Sequence, residues 1–472
     1  MRGLGKIGRI SDSDLPDHAR GCIMGCMNQH PTSHGGPTGI SDLQPRGIAA
    51  GGSGGGGGLS RRELVRVMAV GAAGMLAAGT AAHAAGLAGW AGAPKGKPEA
   101  ARGGGEKLKI LILGGTAFTG PQLVRLAVDA GHTVTIFNRG RTEQRIGGIP
   151  DSVERLVGDR DPKVAEGLKA LEGDRAWDVC IDLSGQYPRH VGASAKLLAG
   201  RVKHYTFVSS ISAYTEPYPE KLDEEAPLAK LADPNTEDMA GGMNYGGLKA
   251  ACEKAAMEAM PGKVAVVRPG LIVGPGDQTD RFTYWPVRFS RAAAGEAVLC
   301  PNDASDPAQW IDVRDLAEWM LKLAVDRPSG AFNAVGQPGS TMGSIVDACM
   351  AATGKKAKPV WGKLEVLMEE RVTPWGDMPV WVPRPEKGQG WFGNVNFDKA
   401  VKAGLKFRPV QQTVSDTLAW WPSEMARRER VGKELTAQAE KDGKPAPKLP
   451  PHDQLRAGIT AEREKAVLAK LA

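Results

Sequence analysis

The stretch Lys109-Ile110-Leu111-Ile112-Leu113-Gly114-Gly115-Thr116-Ala117-Phe118-Thr119-Gly120-Pro121 decides the fold. An apolar run ending at Leu113 suits a strand buried on both faces. A glycine turn follows, and Pro121 opens a helical pattern through Leu123, Val124, Leu126 and Ala127 that stops at Gly131. In such a strand–turn–helix unit the glycines let the backbone approach a pyrophosphate. The helix N-terminus adds free N–H groups and a positive dipole. Gly114, Gly115, Thr116, Phe118, Thr119 and Gly120 are therefore candidate dinucleotide contacts. Ala117 stands where the usual fingerprint has its middle glycine.

Downstream the alternation continues. Thr133–Phe137, Val153–Val157, Asp178–Asp182, His204–Val208 and Val264–Val267 read as further strands between helical stretches, which predicts an α/β, doubly wound parallel sheet. Beyond Pro269 the text changes to loops rich in Pro, Gly and Trp, with helices expected at Val313–Ala324 and Ser344–Thr353. Residues 271–421 read as a smaller substrate-binding region interleaved with the end of the sheet. Residues 422–472 read as a charged tail with a Lys/Pro linker, Lys441–Pro451, and a short helix, Ala461–Leu471.

The tip of the second strand normally reads the adenosine ribose, with a carboxylate for NAD or an arginine for the 2′-phosphate of NADP. Here it runs Phe137-Asn138-Arg139-Gly140-Arg141. It has no carboxylate, and two guanidiniums suit a phosphate, so NADP is favoured over NAD. Tyr245 and Lys249 are one helical turn apart and share a face. A nearby ammonium is expected to lower the phenol's pKa from about 10, fitting Tyr245 for proton exchange with a substrate hydroxyl. Lys249 would also bond the nicotinamide ribose. In Phe207-Val208-Ser209-Ser210-Ile211-Ser212 a strand-tip hydroxyl can hold the same substrate oxygen, with Ser210 preferred and Ser212 second.

Together, Gly114–Gly120, Asn138-Arg139, Phe207–Tyr214, Tyr245–Lys249 and Arg268-Pro269-Gly270 with Gly274-Pro275-Gly276 resemble the short-chain dehydrogenase/reductase superfamily. The closer likeness is to its extended, NAD-dependent epimerase/dehydratase branch, from about Lys107 to about Trp421. The resemblance implies a Rossmann domain over 107–270, with Ser210, Tyr245 and Lys249 as the catalytic set. It places Pro269 beside the nicotinamide and Asp159 at the adenine. Ile211 and Ser212 stand where 4,6-dehydratases of this branch carry an acidic pair, which disfavours elimination. The turn with Asn138-Arg139 also looks like atypical members, including chloroplast stem-loop RNA-binding proteins. The reading is an NAD(P)-dependent oxidoreductase or epimerase acting on a hydroxyl or keto carbon of a small molecule, such as a sugar or sugar nucleotide. A non-catalytic Rossmann binder is the alternative.

The sequence of 472 residues carries a formal charge of +7. Residues 1–105 hold 11 Lys+Arg against 6 Asp+Glu, so most of that charge lies in the leader and the body is near neutral. That argues against a nucleic-acid partner. Residues 1–59 read as a disordered leader or a mis-assigned start, with Met24 or Met27 as alternatives. Residues 60–85, with Arg61-Arg62 before the uncharged Val67–Ala82 and then Ala82-His83-Ala84, resemble a Tat export signal. That implies the Tat machinery as a partner, a periplasmic location and no stable membrane span; 86–106 is a linker. His18, Cys22, Cys26, His30 and His34 have zinc-like spacing, but Gly21, Gly25 and Pro31 oppose a helix, so no metal is expected. Cys180, Cys252, Cys300 and Cys349 read as buried thiols. A homodimer is compatible with the sequence. For the substrate side, Arg281, Tyr284, Trp285 and Arg288 suit phosphate and sugar-ring contacts, though Trp285 serves equally as core. Asp312 reads as a helix cap, and Trp375, Trp381 and Trp391 as packing in a loop-rich lid.

Overall fold

The computed structural model describes residues 106–141, 148–384, 391 and 393–472. The leader, the Tat-like segment and the His/Cys cluster lie outside these residues.

The first apolar run forms β1 (Lys109–Leu113), and the glycine turn leads into α1 (Thr119–Asp129). Then follow β2 (Thr133–Asn138), β3 (Glu154–Val157), β4 (Val179–Asp182), α2 (Pro188–Leu198), β5 (His204–Val208), α3 (Tyr245–Ala259) and β6 (Val264–Pro269). With the later strand β10 (Gly330–Ala334) they make a seven-stranded sheet ordered β3-β2-β1-β4-β5-β6-β10. Every neighbouring pair is parallel. This is a Rossmann-type sheet, and its strand order reverses between β1 and β4, the switch point at which sheets of this kind bind ligands.

The period of two along β1 explains why it sits at the centre. Ile110 and Ile112 enter one core with Leu123, Val124, Ile136 and Trp319. Leu111 and Leu113 enter the opposite core with Phe137, Cys180, Tyr205 and Phe207. By contrast, β3 is a largely exposed edge strand.

The later chain is folded into this body. β7 (Leu271–Val273) pairs with β9 (Trp310–Asp312), and β8 (Ala297–Pro301) pairs with β11 (Lys358–Gly362). The helices α4 (Tyr284–Arg291), α5 (Val313–Asp326), α6 (Met342–Ala352), α7 (Leu364–Glu369) and α8 (Asp398–Lys402) lie among them. Leu316 and Trp319 of α5 join the core of the sheet, whereas Trp285, Trp310 and Trp381 fill a separate core in the cap. The long helix α9 (Val410–Lys441) runs across the boundary expected at 421/422. What reads as a charged tail is integral to the cap. Its Arg428 donates to buried Asp280 at 2.6 Å, and Glu464 of α10 (Ala461–Leu471) accepts from Arg288 at 2.8 Å and from the Leu299 amide at 2.9 Å. Charge density alone hides this, because each carboxylate has its partner far away in sequence. Cys180, Cys252, Cys300 and Cys349 are buried free thiols.

Candidate active site

The dinucleotide turn is built by glycine where nothing else fits. Gly114 and Gly115 adopt φ of +100° and +85°, a region that side chains disfavour. A Cβ on Gly120 would lie 2.3 Å from the carbonyl carbon of Gly115, so α1 can approach the turn only without one. The Gly114 amide donates to the Phe137 carbonyl at 2.8 Å and ties the turn to β2. Thr116 is buried, and Phe118 and Thr119 are half-buried. Phe118 precedes α1 without a side-chain cap; in the first turn the Gly120 amide donates to the Ala117 carbonyl at 2.9 Å and Pro121 has no N–H, so the Thr119 amide is the one the turn offers a ligand. At the tip of β2, Arg139 and Arg141 are exposed, and Asn138 accepts from the Gly140 amide at 2.7 Å. Asp159 accepts from the Asp161 amide at 2.9 Å and is half-buried. Pro269 is buried in the β6–β10 pairing opposite Ala334.

The proposed catalytic set comes together at the tip of β5. Ser210 caps a one-turn helix, Ile211–Ala213, by accepting from the Ser212 amide at 3.1 Å. The Tyr245 phenol, at the start of α3, lies near enough to Ser210 for that hydroxyl to lower its pKa. Ser212 serves the turn through its amide. One turn on, the Lys249 ammonium donates to the carbonyls of Gly185 and Val208, each at 2.7 Å, and lies over the Phe207 ring.

The electrostatics differ from the sequence reading. Burial pushes the Tyr245 phenol above its ordinary value; the Ser210 hydroxyl and then the field of Arg281 act in the opposite sense. Lys249 is not the cation that favours the phenolate. Its hydrogen bonds go to two backbone carbonyls, and its own pKa is lowered by burial. At neutral pH the site therefore holds a protonated phenol beside a serine.

A second network, which the sequence reading missed, supports these tips. Glu253 is fully buried one turn beyond Lys249. It binds Arg268 of β6 at 2.7 and 3.0 Å and accepts from Ser209 beside Ser210. Arg268 also donates to the Tyr214 hydroxyl at 2.9 Å, and Tyr214 donates to Asn333 of β10 at 2.7 Å. Nearby, Arg160 grips Asp182 at 2.6 and 2.8 Å, and the Tyr205 hydroxyl donates to the same carboxylate at 2.8 Å. The available signal was spacing, since Glu253 repeats the i, i+4 step from Tyr245 to Lys249 along one buried face.

On the substrate side the four candidates separate. Tyr284 and Trp285 are cap core at 2% and 0% exposure. Arg288 pairs with Glu464 and Glu296. Arg281 alone of the four acts on Tyr245. Asp312 caps α5 by accepting from the Arg314 amide at 2.8 Å. Trp375 and Trp381 are buried, and Trp375 and Trp391 line a small pocket together with Ile211, the residue after Ser210.

Comparison with known proteins gives one curated relative, the chloroplast stem-loop binding protein of 41 kDa b from Arabidopsis thaliana. It is 27% identical over 267 residues, covering 52% of this chain and 63% of the relative, so the match spans less than two thirds of that protein. Among solved structures, the Bordetella bronchiseptica enzyme WbmG in complex with NAD is 18% identical, with 67% of this chain and 95% of that chain covered and a TM-score of 0.48. UDP-glucose 4-epimerase of Thermotoga maritima, solved with UDP-glucose, is 17% identical, with 66% and 98% covered and a TM-score of 0.46. The glycine turn, the Ser210–Tyr245–Lys249 constellation and the closing strand β10 all lie within residues 110–334, the stretch that matches the model of the NAD dependent epimerase/dehydratase family.

Proposed function

We propose that this chain is an enzyme of that family. It would use a nicotinamide dinucleotide, NADP in preference to NAD, to oxidise or reduce a hydroxyl or keto carbon of a small substrate, with a sugar or sugar nucleotide as the expected class. The observation that carries the reading is the convergence of Tyr245, Ser210 and Lys249 at the tip of β5, in a sheet whose first strand leads into the glycine turn. The residues fit the cofactor. Gly114, Gly115 and Gly120 leave the backbone bare at the uncapped start of α1, and Arg139 and Arg141 stand exposed where a 2′-phosphate would lie. When bound, the dinucleotide supplies the hydride donor or acceptor.

The chain's own residues then divide the work. Ser210 donates to the substrate oxygen and holds it near the phenol. In reduction, Tyr245 gives its proton to that oxygen as the carbonyl becomes an alcohol; in oxidation it takes the proton back. Lys249, fixed by two carbonyls, positions the helix face that carries Tyr245. Export by the Tat route belongs to the same proposal, since a dinucleotide-loaded protein would have to cross the membrane folded.

Mass spectrometry of the purified protein under native conditions tests the cofactor. A bound nicotinamide dinucleotide, with NADPH quenching protein fluorescence at lower concentration than NADH, is the expected result. The relative's name motivates the rival reading of an RNA-binding module. Salt-sensitive retention on an RNA column without dinucleotide binding would replace the enzyme assignment with that one.

A further inference from the structure

We propose that Arg281 is an anion-recognising residue of this site, and that the substrate carries a carboxylate or phosphate group close to the carbon whose oxygen faces Tyr245 and Ser210. This rests on the reading of Tyr245 and Ser210 as the reacting end of the site.

Arg281 is only 8% exposed; the charge of Asp277 acts on it, but among the described residues no carboxylate lies within 4.0 Å of it. Its Nε donates to Thr279 at 3.1 Å and its guanidinium carbon lies 5.4 Å from the centre of the Trp375 ring, while neither terminal nitrogen has a hydrogen-bond partner there. A buried guanidinium normally spends its fork on a carboxylate or phosphate. Here the fork is left to a ligand. Trp375, over whose ring the guanidinium lies, and Ile211, the residue that follows Ser210, line the same small pocket.

The turn that delivers Arg281 is braced. Asp277 accepts from the Thr279 amide at 2.8 Å and its hydroxyl at 2.7 Å, and Thr279 in turn accepts from Arg281. Asp280, at φ +61°, is locked by Arg428 at 2.6 Å and by the Arg456 amide at 2.9 Å. Such bracing suits a side chain that must hold its direction before a ligand arrives. Asp277 is 1% exposed and its second carboxylate oxygen has no hydrogen-bond partner among the described residues, which leaves an acceptor for a hydroxyl on the same ligand.

The test is calorimetric titration of the full chain, without dinucleotide, with inorganic phosphate and separately with malonate. Saturable binding of at least one anion is expected, and the tighter of the two identifies the group. Arg281→Gln should weaken it about tenfold or more, with Arg281→Lys in between, because lysine keeps the charge and loses the fork. Arg281→Lys also retains a cation toward Asp277, so it reports even if the glutamine variant does not fold. No binding to the wild-type chain, or equal binding by all folded variants, overturns the proposal. NADPH titrated into the same samples reads the cofactor assignment separately. An Arg281-dependent anion site without NADPH binding would refute the enzyme reading and, with it, the placement of the anion beside a reacting carbon, keeping only the anion-binding role of Arg281.

Discussion

The two halves of the site are built by opposite means. In the sheet, Ser210, Tyr245 and Lys249 sit on elements whose hydrogen bonds are mostly local or between neighbouring strands, backed by the Glu253–Arg268 pair. In the cap, Arg281 rides on an irregular turn that is held from far down the chain by Arg428 and Arg456. The first half can form as soon as the sheet does. The second needs a chain segment almost 180 residues away, since 178 residues separate Gln278 from Arg456.

The sharpest way to break this comparison is Tyr245→Phe. It removes one hydroxyl from the sheet half, and turnover should fall about 10²- to 10⁴-fold while dinucleotide affinity changes less than about twofold. Retained steady-state activity would end the proton-transfer role. Next in size is Glu253→Ala, which leaves Arg268 buried without its partner. Denaturant unfolding should show a loss of about 3–5 kcal/mol, felt throughout the sheet half. Asp280→Ala should cost less, about 2 kcal/mol, because Arg428 keeps Glu424 at 2.8 Å. Its mark should be weakened anion binding at Arg281 with NADPH affinity intact; losses in both would mean that the halves are not separable. The smallest effect expected is on the nucleotide itself. The double change Arg139→Ala, Arg141→Ala should weaken NADP(H) about tenfold more than NAD(H) by fluorescence titration, and equal losses would remove the 2′-phosphate assignment.

The raised phenol pKa sets the sign of a pH test. Below its pKa Tyr245 is protonated, so substrate reduction should be flat through neutrality. Oxidation needs the phenolate and should rise about tenfold per pH unit on the same side of that pKa. An oxidation rate independent of pH in that range would show that another group takes the proton.

How much of this could be read from the sequence follows the same division. The strand Lys109–Leu113, its turn and its helix are a continuous signal, and the turn glycines declare themselves because no side chain could occupy Gly120. The spacing of Tyr245 and Lys249 put both on one face of α3, and Ser210 lay at a strand tip. What the sequence could not give was the destination of charges. Lys249 is spent on Gly185 and Val208, so the cation nearest in sequence to Tyr245 is not the one that favours its phenolate. Arg281, Tyr284, Trp285 and Arg288 looked alike as candidates, and only packing separated the core aromatics and the Glu464-bound arginine from the open guanidinium. The tail read as solvated because its partners for Asp280 and Arg288 lie well over a hundred residues upstream, beyond any local pattern.

The bond between Arg288 and Glu464 spans 176 residues. At about 5–20 residues per second, a ribosome takes roughly ten to thirty seconds to travel that distance. Throughout that interval Arg288 has only Glu296, and the Leu299 amide of β8 lacks its carboxylate. The sheet's contacts are therefore available well before this one, and a chain without α10 would leave the Leu299 amide without its carboxylate and Arg288 with Glu296 alone.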